Sequence, residues 1–160
     1  AKGHAVDRVS DRLMAMGATS HLIEIGGELK GRGVKPDAQP WWVEIEGVPD
    51  SASTQPIVAL HNLAIATSGD YRQYFQHGAR RAAHTLDPRS GRPVANDVAS
   101  VTVLASTCMA ADALSTALTV LGPDAGLAFA EAHRLPARFL VRGPAGLLAT
   151  TSSHWDALLQ

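Results

Sequence analysis

The sequence predicts an α+β fold, a mixed or antiparallel sheet packed with helices. Three observations carry this reading. Apolar residues recur at helical spacing over 3–16 and again over about 107–121. Runs of strand length, several rich in β-branched residues, lie between and after them. Gly, Pro, Asp and Ser clusters punctuate the runs at short intervals. With 160 residues, 46% of them hydrophobic, the chain has the length of one domain and enough apolar material for a core. It shows no repeat, low-complexity tract or interdomain linker, so 1–160 reads as a single domain.

The elements follow in order. Ala5, Val6, Val9, Leu13 and Met16 make the apolar stripe of the first helix, and Gly17 stands where it stops. His21 to Ile25 reads as a strand ended by Gly26-Gly27, and Gly31 to Pro40 as a turn or loop. Trp41 to Glu46 alternates, with Glu44 and Glu46 outward, and residues 47–56 form a polar loop. Ile57 to Thr67 supplies one or two strands, broken by Ser68-Gly69-Asp70. Ala83 to Leu86 is a short strand entering the turn Asp87-Pro88-Arg89-Ser90-Gly91. Val98 to Leu104 is a β-branched strand, and Thr107 caps a helix running to Leu121. Asp124 caps the next helix, through about His133; Phe139 to Val141 and Leu147 to Thr150 make a last hairpin, with a short helix after Ser152.

Composition excludes several function classes. A formal net charge of -1, with arginines scattered along the chain, argues against a nucleic-acid binder, which would carry a basic stripe. The single cysteine, Cys108, excludes an intrachain disulfide and any multi-cysteine metal site. No apolar run reaches the roughly 18 residues of a membrane span. There is no G-x-G-x-x-G, P-loop lysine or H-E-x-x-H motif.

What remains is oxygen chemistry. Asp112 and Thr116 are four apart on a predicted helix and project from one face. A carboxylate with a hydroxyl suits Mg²⁺, phosphate oxygens completing its shell; the alternative is an exposed acid on an ordinary amphipathic helix. His84 stands three residues before Asp87, a plausible acid/base pair, although Asp87 can equally serve only to start its turn. Thr67-Ser68-Gly69-Asp70-Tyr71 offers hydroxyls and close backbone approach to a phosphate, or simple turn chemistry. Gly26-Gly27-Glu28 reads either as a close-approach site or as a strand end.

Taken together and in this order, the segments Ala1-Lys2-Gly3-His4-Ala5-Val6-Asp7, Ile25-Gly26-Gly27-Glu28, Thr67 to Tyr71, His84-Thr85-Leu86-Asp87-Pro88-Arg89-Ser90-Gly91 and Ala111-Asp112-Ala113-Leu114-Ser115-Thr116 resemble the FAD:protein FMN transferase (ApbE, or thiamine-biosynthesis lipoprotein) family. The resemblance implies a T-fold-like domain whose substrate is FAD. It implies cleavage of the FAD pyrophosphate, release of AMP, and attachment of FMN to a Thr or Ser hydroxyl of a target protein. By the same resemblance His84 is the base, and Asp112, Thr116 and the Ala1 backbone carbonyl hold Mg²⁺. Lys2, Asp7, Gly27, Thr67, Ser68, Gly69, His84 and Asp87 would bind FAD or support its site. Ser90 replaces the family's usual Thr and keeps the hydroxyl. Because the chain opens on Ala1-Lys2-Gly3 without Met, it reads as the carboxy-terminal portion, lacking a segment that supplies part of the FAD pocket and often a lipoprotein anchor. The family's location is the bacterial periplasm, at the inner membrane. An FAD-binding module without transfer activity, or an inactive fragment, are the rival readings.

Overall fold

The computed structural model describes residues 1–48, 55–71, 74–77 and 80–158. In chain order they form α1 (Lys2–Ala15), β1 (His21–Ile25), β2 (Glu28–Arg32), β3 (Trp41–Glu44), β4 (Ile57–Leu60), β5 (Leu63–Gly69), β6 (Tyr74–His77), β7 (Arg80–Ala83), β8 (Leu86–Asp87), β9 (Arg92–Pro93), β10 (Val98–Ala105), α2 (Cys108–Leu121), α3 (Pro123–Ala132), β11 (Ala137–Gly143), β12 (Gly146–Thr151) and α4 (Ser153–Leu158). The main sheet has the order β1-β2-β5-β10-β11-β12, with every neighbouring pair antiparallel. The predicted α+β class holds. The β3–β4, β6–β7 and β8–β9 ribbons stand apart from that sheet.

Burial explains the layering. β10 is buried over seven of its eight residues because both faces of the sheet are covered. Val101 and Val103 pack with Leu118 of α2, Ala130 of α3 and Phe139 of β11. Facing the other way, Leu104 joins Ile65, Leu60, Val58 and Trp155, which belong to β5, the β3–β4 ribbon and α4. Val6, Ile23, Ala64 and Cys108 seal α1 against the sheet. The result is helices, sheet, and then a ribbon with a short helix.

Several boundaries differ from the sequence reading, each for a tertiary reason. The expected loop from Gly31 begins too early, since β2 runs through Arg32, and its Glu28 and Lys30 are each only 3% exposed. Gly31 is tolerated mid-strand because a Cβ there would lie 2.6 Å from the Leu60 carbonyl oxygen. Gly26 and Gly27, at φ 62° and 95°, make the two-residue β1–β2 turn that L residues disfavour. Ser68-Gly69 does not break β5, because pairing with β10 continues to Gly69↔Ser100. Ala83 to Leu86 is not one strand: β7 ends at Ala83, and Leu86 pairs with Pro93 in a separate hairpin, leaving His84 on the bend between them. Gly122, not Asp124, is the cap of α3; Pro123 takes its first position, where no N–H is needed. Ile57 to Thr67 resolves into two strands, and β6 was not foreseen. Of the expected polar loop, 49–54 lie outside the described residues.

Thr107 caps α2 as its sequence suggests, its hydroxyl accepting the Ala110 N–H at 3.3 Å. Thr107→Ala is expected to cost about 1 kcal/mol of stability, checked by chemical denaturation. No helix among the described residues is long and apolar enough to cross a membrane.

Candidate active site

The amino-terminal ends of α1 and α2 meet at the edge of the sheet where β2 begins and β5 ends. Asp7 fixes that meeting. Its carboxylate accepts the Cys108 and Met109 N–H groups at 3.0 and 2.9 Å and the Lys30 ammonium at 2.5 Å. The acid thus takes up two backbone donors at the start of α2, where the helix dipole favours negative charge. Burial alone would raise its pKa; the bonds from Lys30, Met109 and Cys108 outweigh that and hold it below the ordinary carboxylate value. Gly3 seats α1 on α2 so closely that a Cβ would lie 2.3 Å from the Cys108 carbonyl oxygen.

One turn into α2, Asp112 faces the junction. Its Oδ2 accepts the Gly3 N–H at 2.9 Å, and the Ala1 nitrogen lies 3.3 Å away. Thr116 follows on the same face, donating to the Asp112 carbonyl at 3.2 Å. Ser68, arriving on β5, sits 2.8 Å from the hydroxyls of both Thr116 and Ser115. Thr67 turns to the opposite face and meets Thr102 at 2.9 Å.

These elements border a cleft of about 650 Å³ that straddles the end of the sheet. Of the residues singled out from sequence, Lys2, Gly27, Thr67, Ser68, Gly69, His84, Asp112 and Thr116 line it. Ala1 adjoins it through Asp112. Asp7 and Asp87 are not among its lining residues. Asp7 acts from behind, through α2. Asp87 is engaged by its own turn, accepting the Arg89 N–H at 2.9 Å and the guanidinium at 2.9 to 3.3 Å, which holds its carboxyl below the usual range. That turn anchors the chain just after His84, whose exposed side chain reaches the cleft from the bend.

Glu28 entered the sequence reading only as part of Gly26-Gly27-Glu28, a close-approach site or a strand end, with no role of its own. It lines the cleft, and its Oε1 pairs with the Lys2 ammonium at 2.7 Å while Lys2 also donates to the Gly26 carbonyl at 2.9 Å. Glu28 Oε2 is buried without a hydrogen-bond partner among the described residues. The adjacent glycine turn was the available signal, since Glu28 follows it directly and pairs with Lys2 at the start of α1. Glu24, Glu44 and Glu46 add further acids to the lining. Burial first, then Asp7, Glu28 and Asp112, push the Cys108 thiol up to about 12, so it stays protonated and is no nucleophile.

This negative corner suits a cation. Among the described residues there is no cluster of three or more His, Cys, Asp or Glu able to hold a metal alone. The donor set is instead the Asp112 carboxylate with hydroxyl and carbonyl oxygens, hard ligands that fit Mg²⁺ when ligand oxygens complete the shell.

Comparison with known proteins settles the relationship. The ApbE family profile matches residues 1–139. The chain belongs to the ApbE family. It is 43% identical over 160 residues to an FAD:protein FMN transferase of Vibrio cholerae and 38% identical over 162 residues to one of Haemophilus influenzae, covering 99% and 100% of this chain but 48% and 47% of theirs. The fold superposes on the apo flavinyl transferase ApbE of Pseudomonas stutzeri with TM-score 0.90 and 48% identity, covering 99% of this chain and 49% of that one. The Vibrio cholerae flavin transferase ApbE gives 0.86 and 43%, covering 99% and 50%. The chain therefore spans about half the length of the curated relatives it matches.

Proposed function

We propose that this ApbE-family chain is the carboxy-terminal half of an Mg²⁺-dependent FAD:protein FMN transferase. The observation that carries the reading is the convergence of His84, Asp112, Thr116, Ser68 and Lys2 on one cleft. In the reaction, an acceptor Thr or Ser oxygen forms a bond to the FMN phosphorus. The P–O bond to AMP breaks, AMP leaves with the bonding electrons, and the hydroxyl proton passes to a ring nitrogen of His84.

Each residue has a defined task. His84 raises the nucleophilicity of a hydroxyl that is otherwise a poor attacker. Lys2, held by Glu28 and Gly26, presents its ammonium as a charge partner for a phosphate oxygen. The Ser68 and Thr116 hydroxyls, with close backbone approach at Gly69 and Gly27, orient the pyrophosphate. Asp112, Thr116 and the Ala1 carbonyl would hold Mg²⁺, which when bound supplies charge neutralisation at the phosphate oxygens. Thr67 braces β5 through Thr102, while Asp7 and Asp87 fix α2 and the His84 bend. The resemblance further suggests a periplasmic enzyme, anchored at the inner membrane through sequence outside this chain.

Isothermal titration of the chain with FAD, with and without Mg²⁺, tests the reading. Mg²⁺-dependent binding is expected, and Asp112→Asn should weaken the Mg²⁺ effect at least about tenfold. Binding that ignores Mg²⁺, in both proteins, would remove the metal from the scheme. Tight binding with no flavin attached to an acceptor by the complete protein would leave an FAD-binding module.

A further inference from the structure

A second cleft, of about 290 Å³, adjoins the first. Three elements pass from one into the other. On the bend after β7, His84 lines the first cleft while Ala83 and Thr85 line the second. After β5, Ser68 and Gly69 belong to the first and Asp70 to the second. Along α2, Asp112 and Thr116 face the first, and Thr119, one turn on, the second. The catalytic base candidate thus stands on the partition.

We propose that the second cleft is where the acceptor polypeptide docks, presenting its hydroxyl to His84 from the side opposite the departing AMP. The inference rests on the transferase reading and adds the route of the second substrate. Phosphoryl transfer needs the attacking and leaving oxygens roughly in line, so the two substrates require separate approaches to one phosphorus. A cleft bordered by the residues on either side of the base provides one.

Its chemistry fits a polypeptide better than more of the nucleotide. Among the described residues its one cation, Arg142, is already engaged: the guanidinium donates to the Val98 carbonyl at 3.2 Å and to Asp70. Asp97 adds a further carboxylate, so among the described residues the lining offers a phosphate no unengaged positive partner. A short extended stretch with small side chains, bearing the acceptor Thr or Ser, matches that space.

The test uses the protein made from its complete gene. The probe is an acceptor protein recognised by in-gel flavin fluorescence and purified flavin-free from cells lacking the transferase. Ala95→Trp and Asp97→Arg place bulk or opposite charge at two exposed lining positions, outside the residues assigned to FAD or Mg²⁺. Both should raise KM for the acceptor roughly tenfold or more, leaving the FAD Kd and kcat at saturating acceptor near native values. Unchanged acceptor KM in both variants would place docking elsewhere. A tenfold weaker FAD Kd would instead make the second cleft part of the nucleotide site and overturn the inference. If the unmodified protein binds FAD but transfers no flavin, the transferase reading fails first and takes this one with it.

Discussion

His84→Ala is expected to lower flavin transfer about 10²- to 10⁴-fold, the range for losing a positioned general base, while FAD still binds. Two features make the change local. The side chain is exposed on a bend rather than packed in a core, and the backbone around it is fixed by the β6–β7 pairing up to Tyr74↔Ala83 and by Leu86↔Pro93 beyond. The groups proposed to bind the pyrophosphate lie instead on α1, α2 and β5. Covalent flavin on the acceptor, read by in-gel fluorescence, should collapse, whereas the FAD Kd from titration should stay near the native value. Transfer that persists within about threefold of native would assign the proton to another group, since loss of a true base exceeds that range. A parallel collapse of FAD binding would make His84 a binding residue.

How far the sequence revealed this site depends on the distance over which each relationship acts. The Asp112–Thr116 pair was legible because a helical period places both on one face. The Asp87–Gly91 turn was legible because its residues bond their own backbone. By contrast, nothing in the local pattern marked the burial of Glu28 and Lys30. Their burial depends on Lys2 and Asp7, 26 and 23 positions away, and no local pattern announces those partners. The break expected at Ser68-Gly69 and the continuous strand expected over 83–86 were both overruled by pairing. Ser68 and Gly69, which favour turns in isolation, are held extended by β10, whereas Ala83 and Leu86 pair with different strands and leave a bend between them. The second cleft had no sequence signal at all, being assembled from five separate stretches.

Asp7→Ala is expected to destabilise the fold by about 3–5 kcal/mol, the cost of leaving one member of a buried ion pair alone. Lys30, with its side chain 3% exposed, would keep a desolvated ammonium without its counter-ion. The Cys108 and Met109 N–H groups would lose their acceptor at the same time. Chemical denaturation at neutral pH checks the size; a cost below about 1 kcal/mol, as for an exposed pair, would contradict the buried clamp. The pH dependence gives a second handle. Asp7 ionises below its ordinary value of 3.8 in the folded state, so its stabilisation is present above that value and lost as pH falls through the folded one. The native protein should therefore lose stability on acidification below about pH 4 more steeply than Asp7→Ala does. The double variant Asp7→Leu with Lys30→Met separates charge from shape. If it regains most of the lost stability yet binds Mg²⁺ more weakly than the native protein, the ion pair's remaining role is to hold the start of α2, and with it Asp112, in place.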